Sequence, residues 1–212
     1  QYKPRVKANN LGAYIVWYDL RDNLGATPVN NDIYLQRVTI ENGVEWDSEL
    51  AVARGGYFTG LSYIPDNTES RLTTDVNGNA YVTWMNDSNI EGEYDISLQL
   101  INSDSETLFR ENGLIISGAN KRQESQIVRS DGSGGAFVIW GDKRNGSIGI
   151  YAQHIYDNGS ISMLNDGTEF YWGIDGNTVS SYANKPSALY MGNNELVVSW
   201  TDQRFGQNLK NF

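Results

Sequence analysis

The sequence predicts an all-β fold: a β-propeller of four-stranded antiparallel blades, with about four blades present as a complete four-blade ring or as part of a larger propeller. Three observations predict it. A tryptophan motif recurs four times, Asn/Asp/Gly turns punctuate each copy, and the strand carrying the tryptophan is apolar on both faces.

The segments Ala13 to Arg21, Ala80 to Ser88, Ala136 to Arg144 and Leu196 to Arg204 align on Trp17, Trp84, Trp140 and Trp200, at steps of 67, 56 and 60 residues. That spacing suits a propeller blade or a sandwich and is too long for most helical solenoids. A second motif, Ile-x-x-Gln, follows the first three copies and ends at Gln36, Gln99 and Gln153; its weak fourth copy is Asn208 to Phe212.

Each unit reads as strands A to D. Strand A is a short alternating segment (Pro4 to Ala8, Arg71 to Thr74, Gln126 to Arg129, Pro186 to Tyr190). The turns that follow, such as Asp75-Val76-Asn77-Gly78 and Asp131-Gly132-Ser133-Gly134, hold residues that tolerate positive φ, so A and B should pair antiparallel. Strand B carries Trp. Tyr14, Ile15, Val16 and Trp17 are apolar without alternation, which requires cover on both faces, and blades stacked around an axis supply it where a two-layer sandwich cannot. Strand C carries the Gln motif. Strand D starts after turns such as Glu41-Asn42-Gly43 and Asp157-Asn158-Gly159 and ends near Arg54, Ser117 and Trp172. The units run approximately 1–56, 57–120, 121–176 and 177–212, the last incomplete, so the expectation is a longer polypeptide with further blades.

Composition bounds the function. Of 212 residues, 12% are aromatic, with 22 Gly and 4 Pro, which suits short strands and tight turns. A net charge of −10 opposes nucleic acid, whose phosphates need clustered Lys and Arg. No apolar run reaches the roughly 18 residues of a spanning helix, so membrane insertion is not expected. Zero Cys removes disulfides, thiolate metal sites and a cysteine nucleophile.

At these residues the chain resembles a repeat of secreted bacterial proteins, W-x-D-x-R, a variable loop, D-I-Y-x-Q, then an Asn-Gly turn. The third copy matches best, through Trp140, Asp142, Arg144, Ile150, Tyr151, Gln153 and Asp157-Asn158-Gly159. Such repeats occur in exported or surface proteins of the Bacteroidetes type, whose cargo leaves by type IX secretion. The resemblance implies a propeller and an extracellular or cell-surface address, and it specifies no ligand. Copy two departs from it, with Asn86 and Ser88 in place of Asp and Arg.

Strand alternation puts Trp17, Asp19 and Arg21 on one face, about 7 Å apart along the strand. The expected role is scaffold, shared by Trp84 and Asn86, by Trp140, Asp142 and Arg144, and by Trp200, Asp202 and Arg204: indole area between blades, with Asp and Arg fixing the loop. The alternative is a ring of carboxylates at one mouth of the channel. Gln36, Gln99 and Gln153 are read as amides that satisfy backbone groups. No metal ligand and no cofactor is expected; calcium is the one ion considered for the Asp/Asn-Gly turns, but none has an EF-hand frame and turn chemistry explains them.

Function is expected where copies differ: Leu24 to Asn31, Ala53 to Ser70 and Asp166 to Tyr182. Candidate ligand-binding residues are Tyr57, Phe58, Tyr63, Glu169, Tyr171 and Trp172, the equipment for stacking and hydrogen-bonding sugar rings. No catalytic residue is nominated. The sialidase Asp-box and the Gly-x-Ser-x-Gly elbow are both missing, and the single His154 reads as a strand residue. The expected function is a non-catalytic secreted or cell-surface module that binds a glycan or protein, joined to further domains. The alternatives are a glycoside hydrolase or lyase with its site in the propeller funnel, and a structural spacer.

Overall fold

The computed structural model describes residues 2–21, 31–54, 67–87, 93–146, 148–171, 185–193 and 195–201. Among them every regular element is a strand. The first sheet holds β1 (Tyr2–Asn9), β2 (Gly12–Asp19), β3 (Asp32–Thr39), β4 (Gly43–Val44) and β5 (Leu50–Ala53), the last two both pairing with β3. The second runs β6 (Asn67–Thr74), β7 (Ala80–Asp87), β8 (Tyr94–Ile101), β9 (Leu114–Ser117). The third runs β10 (Gln123–Ser130), β11 (Ala136–Asp142), β12 (Gly149–Ile155), β13 (Thr168–Tyr171), and β14 (Ser187–Gly192) pairs with β15 (Glu195–Ser199). Every pairing is antiparallel and follows chain order, which short hairpins permit.

The turns follow from their side chains. Asp75 accepts from the N–H groups of Asn77 and Asn79 at 2.9 and 2.8 Å, and Asp131 accepts from those of Ser133 and Gly135 at 2.7 and 2.9 Å. The Gln residues clamp the opposite hairpin. Gln99 donates to Arg110 O at 3.0 Å while its Oε1 accepts from Leu100 and Phe109, and Gln153 does the same with Leu164 O at 2.8 Å, His154 and Met163. Gln36 repeats the pattern on Trp46. Each amide thereby satisfies backbone groups that a strand edge would otherwise bury unpaired.

Successive sheets meet along their first strands, β6 against β1, β10 against β6 and β14 against β10. This is a propeller-like order. Each sheet has a leading face, which carries the Trp, and a trailing face, which covers the Trp of the next sheet. Trp84 packs with Val16, Tyr18 and Leu35 of the first sheet; Trp140 packs with Ile96, Leu98 and Ile116 of the second. Trp200, just beyond β15, packs beside Ile139 and Ile150 of the third. Truncating a fully buried indole costs about 3–5 kcal/mol, so the joints at Trp84 and Trp140 each rest heavily on one residue.

The first strands are longer than the alternating pattern suggests, because each is interrupted. The register slips between Tyr2 and Arg5, between Thr68 and Arg71, and between Glu124 and Ile127. Lys3, Glu69 and Ser125 occupy these bulges at φ values of 51°, 54° and 59°. A bulge flips the side-chain phase, which hides the start of the strand from a period-two reading.

Candidate functional site

One end of the sheets collects the groups with chemistry. The first strands begin there, the second strands end there, and β3, β8 and β12 begin there, as the facing pairs Asp19–Asp32, Asn86–Asp95 and Asp142–Gly149 show. The opposite end holds the tight turns just described.

In the first and third sheets this end is closed by a compact unit. The Trp140 indole donates to Asp142 Oδ2 at 2.9 Å, the Arg144 guanidinium donates to the same oxygen at 2.6 Å, and the Arg144 N–H donates to Oδ1 at 2.8 Å. Arg144 also lies 4.2 Å over the Tyr151 ring and donates to Asp166 O and Ser117 Oγ, tying the third sheet to the second. Trp17, Asp19 and Arg21 repeat the arrangement, with Arg21 4.3 Å over Tyr34. The Arg21 hydrogen bond holds the Asp19 carboxyl well below the usual range, against the opposing effect of burial. These carboxylates are fully committed to the scaffold.

The second sheet lacks that unit. Asn86 stands where the others have Asp, and the carboxyl at this end is Asp95, across from it on β8. Burial, then the charges of Asp166 and Glu93, push Asp95 up to about 6. An acid in that range is protonated in mildly acidic solution and can deliver its proton there.

The bulges build the other part of the site. Glu69 Oε1 lies 3.2 Å from Lys3 Nζ and Oε2 lies 3.1 Å from the Arg71 guanidinium, while Gln126 Nε2 donates to Glu69 O at 2.6 Å. The Ser70 N–H donates to the Tyr18 hydroxyl at 2.6 Å. Burial raises the Glu69 pKa, but the two cations outweigh it and keep the group ionised below the ordinary carboxylate range. Behind it, Ser70 Oγ and Gln126 Oε1 are buried with no hydrogen-bond partner among the described residues. Left-handed backbone at non-glycine residues costs about 1–3 kcal/mol each and clusters at functional sites. Sequence reading did not find Lys3, Glu69, Ser125 or Asp95; the one signal available was the departure of copy two from the motif.

Of the candidate ligand-binding residues, Glu169 accepts from the Tyr151 hydroxyl at 2.8 Å and so supports the Arg144 unit. Tyr171 pairs with Ile150 at the end of β13. Tyr57, Phe58, Tyr63 and Trp172 lie outside the described residues, as do Asp202, Arg204 and the weak copy Asn208 to Phe212. At the far end, His154 joins Asp131 Oδ2 at 2.8 Å to Ser162 Oγ at 3.0 Å. The line has the order of a nucleophilic triad, yet the Ser162 and Met163 N–H groups already donate to His154 O and Gln153 Oε1. Neither remains to hold an oxyanion, so this His fastens two turns. Among the described residues no three His, Asp or Glu side chains converge as metal ligands.

No family model and no curated protein matches the chain. Solved structures with a similar strand arrangement include an α-L-arabinanase of Penicillium chrysogenum complexed with arabinobiose, 14% identical with a TM-score of 0.47 over 94% of this chain and 58% of that one. A candidate glycoside hydrolase of Parabacteroides distasonis is 12% identical, with a TM-score of 0.44 over 79% of this chain and 51% of that one. A glycosyl hydrolase of Bacteroides ovatus is 10% identical, with a TM-score of 0.42 over 79% and 50%. The chain thus spans only half to three-fifths of their length, and at these scores no residue role or substrate carries across. The expected non-catalytic binding module is corrected here. The similar structures are glycoside hydrolases by name, which favours the enzyme alternative over the binding module.

Proposed function

We propose that the chain forms the blades of a carbohydrate-active β-propeller, a glycoside hydrolase or lyase whose centre lies where β1, β6 and β10 begin. What carries the reading is the pair Glu69 and Asp95 in the second sheet. One carboxyl is held ionised by Lys3 and Arg71, and the other is pushed up to about 6. Glycoside cleavage needs two carboxyls in opposite protonation states across a sugar, one to protonate the leaving oxygen and one to act as base or nucleophile. β6 and β8 flank β7, so their backbones stand about 10 Å apart by strand spacing. β7 ends between them just past Asn86, so a sugar bridging the two carboxyls would lie across the end of β7. Ser70 Oγ and Gln126 Oε1 are polar atoms that sugar hydroxyls would satisfy. The resemblance to secreted bacterial repeats supports an extracellular or cell-surface place of action, and the sheet order supports closure into a ring of blades.

The test is release of reducing ends or unsaturated sugars from a panel of glycans, arabinan among them, by the protein and its Glu69→Gln and Asp95→Asn variants. Turnover should fall as pH rises through about 6, and each substitution should lower it at least 100-fold. Asp95→Asn should retain more activity on aryl glycosides, whose leaving groups need no proton. A folded protein inactive on every glycan, or activity indifferent to both changes, overturns the proposal.

A further inference from the structure

Arg21 pairs with Asp19 and Glu49, Arg71 with Glu69, Arg122 with Glu124 and Arg144 with Asp142. Arg129, half-buried on β10, has no carboxylate partner among the described residues. Its Nε donates to Ala188 O at 2.6 Å and its Nη1 to Val128 O at 2.8 Å, both neutral backbone groups, which leaves Nη2 with no partner among those residues. Asp131, two residues on, is taken by His154 and by the Ser133 and Gly135 N–H groups. Burial pushes the Arg129 guanidinium below its ordinary value with nothing to offset it, whereas in Arg144 burial acts the same way and Asp142 outweighs it.

The scaffold does not call for a buried cation at this place. Arg129 pairs with Phe137, three residues before Trp140, and the equivalent pair in the second sheet is Thr73 with Tyr81, where Thr73 is buried and neutral. In the first sheet it is Lys7, which is exposed. A charge drawn into the joint of one copy alone, without its counter-charge, costs stability that an anionic ligand would restore. We propose that Arg129 anchors an oxyanion-binding site between β10 and β14, filled by a carboxylate, phosphate or sulfate group. The planar guanidinium takes such groups in charge-assisted hydrogen bonds, which are roughly twice as strong as neutral ones. Phe137, stacked on Tyr190 across the same joint, gives the site an apolar flank that strengthens the attraction by lowering the local dielectric. An acidic sugar and a free inorganic oxyanion present the same chemistry. The inference rests on β10 and β14 and is independent of Glu69 and Asp95.

Thermal melts of the 212-residue protein, titrated with inorganic phosphate in one arm and galacturonate in the other, test it. Constant ionic strength separates a site from general salt effects. At least one of the two should raise Tm saturably, by about 2–4 °C at a few times its dissociation constant. A response to phosphate alone identifies a free oxyanion, and a response to galacturonate alone identifies the carboxylate of a sugar acid. Arg129→Met and Arg129→Gln should both lose the response, the second while keeping a donor for the Ala188 carbonyl, and circular dichroism checks their folding. Arg110→Met removes an exposed guanidinium that also bonds a carbonyl, Gly113 O, and should respond as wild type does. A wild type indifferent to both anions, or a shift that persists in a folded Arg129 variant, overturns the proposal.

Discussion

Asp142 shows what a recurrent residue does here. It is buried, and both its oxygens are taken by Trp140 and Arg144. Replacing it with Asn leaves the Arg144 guanidinium without its charge partner in a partly buried setting. Breaking such a pair costs several kcal/mol, so Asp142→Asn should lower stability by about 3 kcal/mol in urea denaturation. Unchanged stability of Asp142→Asn would mean that the unit does not hold this end of the sheet. Asp95 behaves in the opposite sense. Its folded-state pKa, about 6, lies above the roughly 3.9 of an unfolded chain. The folded state then holds the proton longer, and stability falls as pH rises from about 4 to 6 and stays lower beyond. Asp95→Asn should remove that slope and stabilise the protein at pH 7 by about 1 kcal/mol, after discounting for partial exposure. Unchanged pH dependence of the denaturation midpoint would contradict this. The Trp-x-Asp-x-Arg unit was legible because it recurs with fixed spacing. Asp95 was not, since its character comes from burial and from Asp166, a residue 71 positions away whose proximity only the fold creates.

At the scale of elements, the strand order was legible from the turns, and the position of the Gln clamps was legible as a recurring amide. The starts of the first strands were not, because left-handed residues at Lys3, Glu69 and Ser125 break the alternation that marks a strand. The same blindness covers Gly167. It stands at φ 87°, and a methyl group there would lie 2.3 Å from the Trp140 ring and 2.9 Å from the Ala152 carbonyl, so it meets both a strained backbone and a rigid indole. Gly167→Ala should cost about 3 kcal/mol or more through overpacking and strain together. Gly113→Ala should behave alike, because its Cβ would lie 2.7 Å from Trp84. Glu49→Ala, at the matching place in the first sheet, should be nearly neutral. Thermal melts of the three variants check the ranking, and equal losses at all three positions would remove the distinction between tryptophans with and without a glycine against them. Gln153→Ala should separately expose the Leu164 and Met163 backbone groups and speed their amide exchange, since each buried group left unpaired costs about 1–3 kcal/mol.

Taken as a whole, the molecule is a row of sheets in which each touches mainly its neighbours, so stability is a sum of sheet and joint terms and does not spread evenly. The second sheet has both faces covered: Trp84 and Val82 meet the first sheet, and Ile96, Leu98 and Leu100 meet the third. Among the described residues the first sheet packs its trailing face against the second, and the β14–β15 pair sets Ala188, Leu196, Val198 and Trp200, with Tyr190 stacked on Phe137, against the third. Opening the β14–β15 pair therefore sacrifices one joint, whereas opening the second sheet sacrifices two. The free energy of a local opening grows with the apolar surface it exposes, and amide exchange should rank accordingly. The N–H groups of β7 and β8 should be the slowest, those of β11 next, and those of β15 the fastest among the second and third strands of each sheet. Slow exchange in β15 would mean that this sheet is held by something other than its face against Ile139 and Ile150.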